Sequence, residues 1–141
     1  VDKTSFSCND IGTQTVTLTG TDASGNTASA TAIVTIVDNT APNVITQNIS
    51  VSLNASGNAI ITAAQINNGS SDNCGIESIT VSKTSFDCSN LGDNTVTLTV
   101  TDNNGNTSTK TATVTIVDNI APIVIAQDIT VALDANGNAN I

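Results

Sequence analysis

An internal repeat constrains this chain more than any other feature. Shifted by 80 residues, positions 1–61 fall on 81–141 with 38 of 61 identical. Lys3-Thr4-Ser5-Phe6 recurs as Lys83-Thr84-Ser85-Phe86, Cys8 as Cys88, and the run VTIVDN at 34–39 recurs intact at 114–119. Self-similarity at a fixed period means that one structural unit is being reused. Eighty residues is too long for most solenoid units and suits a small β-sandwich. The boundary falls at Asp-Asn-x-Ala-Pro, residues 38–42 and again 118–122, because proline lacks a ladder donor and restricts the residue before it. We therefore expect the C-terminal part of one unit at 1–38, a complete unit at 41–118, and the N-terminal hairpin of a third at 121–141. No signal peptide is visible and the first residue falls mid-pattern, as expected of a fragment of a longer array.

Composition narrows the class to all-β. The chain has 24 Thr, 19 Asn and 11 Asp against a single Glu, Glu77. Thr, Val and Ile suit half-buried strands, and Asn, Asp and Gly suit turns. Within the complete unit, Ile49, Val51 and Leu53 share one face of a first strand that closes in a turn at 54–58. A second strand is expected at about 59–66, a polar loop at 67–75 and a third strand at 76–82, where the apolar spacing is not a clean period of two. Val96, Leu98 and Val100 alternate with Thr, and after a turn at 102–106 so do Ala112, Val114 and Ile116. Phe6 and Phe86 read as core residues.

The same composition excludes most chemistry. With no His, Arg, Trp, Tyr or Met, the chain lacks a member of the Ser-His-Asp triad, the Cys-His pair, His-ligated zinc and the arginine clamp. A net charge of −9 is repelled by nucleic acid and by anionic membrane surfaces alike. No apolar run is long enough to span a bilayer. We expect no enzymatic activity.

Three cysteines become intelligible through the repeat. Cys74 and Cys88 belong to one unit, whereas Cys8 is the counterpart of Cys88 and would find its partner upstream of residue 1. The expectation is a Cys74–Cys88 disulfide, with residues 75–87 doubling back, and a Cys8 left unpaired by truncation; two free thiols are the alternative. A disulfide implies an oxidising, extracytoplasmic location.

The acidic and amide residues gather at one place. In a tandem array the turn at 102–106, the loop at 70–73 and the linker at 38–39 all lie at the entrance of the complete unit. Asp38, Asn39, Asp72, Asn73, Asp102, Asn104 and Asn106 are thus candidate ligands for Ca²⁺, which takes six to eight hard oxygens. The plainer reading of Asp-x-x-Gly-Asn is hairpin chemistry, in which glycine supplies the positive φ and Asp and Asn bond to nearby backbone. The downstream Glu of an EF-hand loop is missing.

Asp72-Asn73-Cys74-Gly75, Ser85-Phe86-Asp87-Cys88, the run VTLTVTD at 96–102 with Gly105-Asn106, and Asp118-Asn119 with Ala121-Pro122 together resemble the hyalin-type (HYR-like) immunoglobulin-fold repeats. Such repeats abound in very large Bacteroidetes surface proteins, including gliding-motility adhesins exported by the type IX system. One departure is that many of those modules carry another Cys on the last strand, where this chain has Lys110 and Thr111. The resemblance covers the whole chain and implies tandem immunoglobulin-like β-sandwich modules at the cell surface. It implies a non-enzymatic stalk that extends a distal adhesive or motility element. Its partners would be neighbouring repeats of the same chain, an unnamed distal surface ligand and adjacent fibres. The alternatives are a module that binds polysaccharide or protein through its loops, and an accessory domain of a secreted hydrolase. An aromatic platform for sugars is absent from the composition.

Overall fold

Aliphatic side chains alternate with Thr at 96–101 and again at 111–117, and these runs lie in the two longest strands of the molecule. The computed structural model describes residues 1–141. Its strands are β1 (Gly12–Thr21), β2 (Thr27–Ile36), β3 (Ile49–Ser52), β4 (Asn58–Ile60), β5 (Ile76–Val81), β6 (Ser85–Asp87), β7 (Gly92–Asp102) and β8 (Thr107–Val117), with one short helix, α1 (Ala63–Ile66). The chain is mostly β, as its composition requires.

The central segment carries a four-stranded sheet in the order β3-β8-β7-β5 and a two-stranded sheet, β4-β6. β3 runs parallel to β8, with Ile49 opposite Val114 and Val51 opposite Ile116. The other pairs are antiparallel. Because strand side chains alternate between faces, Val96, Leu98 and Val100 of β7 and Ala112, Val114 and Ile116 of β8 project into one core. Leu53, Ala59, Ile61, Ile66 and Phe86 belong to the same cluster. Leu98, Val100 and Val114 are fully buried. The uneven apolar spacing at 76–82 has a local cause: the β5–β7 register shifts between Ile76 and Ser78, a bulge that returns Ile79 and Val81 to the core side.

One expected strand is replaced. Of the stretch 59–66 only the beginning extends, and 63–66 coil into α1. The sequence Thr62-x-x-Gln65 accounts for this: the Gln65 side-chain oxygen accepts from the Thr62 N–H at 2.8 Å, and Asn67 N–H closes the turn on Ala63 at 2.9 Å. Coiling turns Ile66 inward, where it is wholly buried.

β1 and β2 form a separate hairpin. Its register repeats that of β7–β8 shifted by 80, with Gly12 opposite Ile36 and Val16 opposite Ala32. The burial does not repeat. Val16 is covered, but Leu18 is 58% exposed while its counterpart Leu98 is 0% exposed. Phe6 is half-buried where Phe86 is fully so. After Val117 the chain forms no strand; Asp118 accepts from the Ile120 N–H, and a turn at 134–138 is closed by the Gly137 N–H on the Asp134 carbonyl.

Candidate cation site at the junction of two units

Three loops are laced together where the β1–β2 hairpin hands over to the central segment. Asn43 and Ser71 exchange backbone hydrogen bonds of 2.8 and 3.1 Å, which hold the loop bearing Asp72 against the strip that follows the linker. The Asn106 amide donates to the Asp38 carbonyl at 3.1 Å and ties that linker to the turn after β7. Asn103 joins the same turn to the Asp72 loop: its amide donates to the Cys74 carbonyl at 2.9 Å, and its N–H donates to the Gly75 carbonyl at 3.2 Å. Gly75 suits this place through its backbone, and a side chain there would also press on the Asn103 amide. Its φ is +100°, and a Cβ there would stand 2.7 Å from the Asn103 amide nitrogen.

The lacing brings one carboxylate oxygen each from Asp38, Asp72 and Asp102 within 4.8 Å of one another. Asp102 is wholly buried and the other two are half-buried. Both oxygens of the Asp102 carboxylate are engaged: Oδ1 accepts from the N–H groups of Asn104 and Asn106 at 2.9 and 2.8 Å, and Oδ2 accepts from the Asn106 amide at 2.8 Å. Burial pushes its pKa up, but the bonds from the Asn106 side chain and from the backbone of the turn outweigh burial and hold it below 3.8. Asp38 and Asp72 are different. Each spends one oxygen on a local N–H, of Thr40 at 3.0 Å and of Cys74 at 2.8 Å. The other oxygen, Asp38 Oδ2 and Asp72 Oδ2, is buried with no partner. No lysine compensates, since the single salt bridge of the chain joins Lys3 to Asp10. Buried polar atoms are nearly always satisfied, so two unpartnered anionic oxygens on clustered carboxylates make a group that could hold a metal ion. The donor set is hard oxygen, which suits Ca²⁺.

Of the seven expected ligands, the structure brings the three carboxylates together. Asn106 is beside them but presents its amide nitrogen, so it positions Asp102 and the linker. Asn104 contributes its backbone N–H to Asp102, and Asn73 turns its amide towards Cys74 Sγ. Asn39 lines a groove beside the cluster, along with Asp38 and Cys74. The turn itself is not the signal. The turns at 22–26, 54–58 and 134–138 show the same pattern of one side-chain oxygen accepting from the second and fourth N–H beyond it, yet none of them belongs to a cluster of three carboxylates.

The expected disulfide is corrected. Cys74 is bonded to Cys8, with Cα atoms 5.3 Å apart, and Cys88 is a free, exposed thiol. Cys8 is therefore not left unpaired. The reason is topological. β5 carries the chain away from Cys74, and Cys88 lies beside the turn at 54–58, its Sγ 3.7 Å from the Gly57 carbonyl. That turn and Asp118 line one groove, whereas Cys8, Asp38 and Cys74 line the other. Cys74 and Cys88 thus belong to opposite ends of the central segment. The bond joins two successive repeat units across the linker, next to the carboxylates, and suits an oxidising milieu. No helix of the chain is long and apolar enough to cross a membrane.

No protein-family model matches this chain, and no curated protein matches it.

Proposed function

We propose that the chain is a segment of a non-enzymatic extracellular stalk, built from tandem immunoglobulin-like β-sandwich units whose junctions are clamped by Ca²⁺. One observation carries the reading: the Asp38–Asp72–Asp102 cluster, with two orphaned buried oxygens, draws on the linker and two loops of the following unit. A cation held there would fix the linker to the unit it enters. The adjacent Cys8–Cys74 bond ties the preceding unit to the same loop. Ionic and covalent locks at one joint are what a chain bearing tension between repeats requires. The free Cys88 and Asp118, counterparts of Cys8 and Asp38, place the same elements at the far end of the central segment.

The test is calorimetric titration of CaCl₂ into the EDTA-stripped chain, followed by thermal melting and small-angle scattering. Binding of one ion per junction, an EDTA-reversible rise in melting temperature and a longer maximum dimension with Ca²⁺ support the clamp. Asp72→Asn should abolish the heat. Absence of heat in the wild-type chain, or an unchanged dimension on binding, overturns it.

A further inference from the structure

We infer that the Cys8–Cys74 disulfide and a cation at the Asp38–Asp72–Asp102 cluster are thermodynamically coupled: reducing the disulfide weakens the hold on Ca²⁺, and stripping Ca²⁺ makes the disulfide easier to reduce. The coupling rests on the calcium clamp proposed above and gives that site a redox control.

Two of the three carboxylates are tied to Cys74 through its backbone. The Cys74 N–H donates to Asp72 Oδ1 at 2.8 Å, and the other oxygen of that carboxylate is the unpartnered Oδ2. On its carbonyl side Cys74 accepts from the Asn103 amide at 2.9 Å, and Asn103 directly follows Asp102. Asn73 touches both halves of the bond: its amide lies 3.3 Å from Cys74 Sγ and its carbonyl 3.4 Å from Cys8 Sγ. A cation that fixes Asp72 and Asp102 therefore also fixes the peptide on either side of Cys74.

The third carboxylate is reached from the other sulfur. Cys8 lies just ahead of β1, whose first residue, Gly12, is paired with Ile36, and Asp38 follows just beyond that pair. Cys8, Ile36, Asp38 and Cys74 line one groove. The disulfide thus spans the gap between the strand end that presents Asp38 and the loop that presents Asp72. A cation held by both carboxylates spans the same gap. Whichever link forms first removes freedom that the second would otherwise have to remove. By linkage, the factor by which the disulfide tightens Ca²⁺ equals the factor by which Ca²⁺ favours the disulfide. Reduction leaves the Asn106–Asp38 bond and the Asn43–Ser71 exchange in place, so the site loosens without dissolving and still takes one ion at saturating calcium.

Cys8 is exposed, as is its counterpart Cys88, so a small dithiol reaches the bond. One thiolate of the reagent attacks a cystine sulfur, the Cys8–Cys74 bond breaks, and the second thiol closes the reagent into a cyclic disulfide. Two electrons and two protons pass to the two cysteines. Bare carboxylates beside the bond also repel an incoming thiolate, so the coupling shows in the equilibrium and not in the rate.

The test uses the Cys88→Ser chain, in which Cys8–Cys74 is the sole redox couple. CaCl₂ is titrated calorimetrically into the oxidised and the reduced chain. The redox midpoint is then measured in mixtures of reduced and oxidised dithiothreitol, with saturating CaCl₂ or with EDTA at matched ionic strength, by alkylation and mass spectrometry. Reduction should weaken Ca²⁺ about tenfold, and Ca²⁺ should move the midpoint by the same factor, about 30 mV more reducing for this two-electron couple. In Asp72→Asn the midpoint should ignore calcium. Equal affinity in both redox states with an unmoved midpoint overturns the coupling and leaves the calcium clamp standing, as does a midpoint that still moves in Asp72→Asn. No heat in the oxidised chain overturns the clamp and the coupling together.

Discussion

Asp102 shows how a single residue acquires its properties from its neighbours. It sits at the end of β7, where strand alternation drives its side chain inward, and the turn that follows folds back to donate three hydrogen bonds to it. Its pKa is depressed in the folded chain, so the stability that it contributes is fully present above 3.8. That share is lost as pH falls through the lower folded-state value. Melting followed by circular dichroism in EDTA should therefore fall off below about pH 4. In Asp102→Asn that acid limb should be shallower, and an unchanged limb would assign the loss to other carboxylates. Cys88 is the complementary case: as the one free thiol, it should take up a single equivalent of an aromatic disulfide reagent per native chain. Two further thiols should appear only after reduction, and three in the untreated chain would contradict the Cys8–Cys74 bond.

At the scale of elements, the repeat provides an internal control that few proteins offer. Leu98 and Leu18 occupy the same register in β7 and β1, opposite Lys110 and Ala30, yet only Leu98 lies in a filled core. Leu98→Ala should cost about 2–5 kcal/mol in urea unfolding, the range for a buried leucine, whereas Leu18→Ala should cost a small fraction of that. Equal losses would mean that the two hairpins are equally covered in solution. Gln65→Ala should destabilise the central segment by about 1 kcal/mol by releasing the Thr62 N–H, and Gln65→Glu should restore most of it. The alternation of Thr with Val, Leu and Ile made β7 and β8 legible, including which side chains face inward. α1 was not legible as a helix, because four residues are too few to display a helical period and only the Thr62–Gln65 pairing distinguishes them from a strand.

At the scale of the whole molecule, the joint between repeats is held by contacts of different kinds. The bond from Asn106 to Asp38, the Asp38–Asp72–Asp102 cluster and the Cys8–Cys74 disulfide all meet at the linker or at the loop at 72–74. Cys74→Ser removes a cross-link between residues 66 apart, which chain entropy values at about 4 kcal/mol. A lower melting temperature for this variant, with unchanged calcium stoichiometry, is expected if the disulfide and the cation act as separate locks. Loss of calcium binding along with the thiol bond would show instead that the covalent link shapes the site.

The repeat, the β class, the strands flanking the 102–106 turn and the convergence of acidic loops at one end were all readable from residues alone. Each follows from local rules of alternation, turn chemistry and self-similarity. The partner of Cys74 was not, because the repeat puts Cys74 and Cys88 in one unit, whereas the fold sets them at opposite ends of it and brings Cys8 to Cys74. Nor could the sequence single out three carboxylates from seven oxygen-bearing candidates. That choice depends on which way Asn106, Asn103 and Gly75 hold their loops. A disulfide and a buried charge cluster are matters of distance between segments remote along the chain, and only folding brings those segments together.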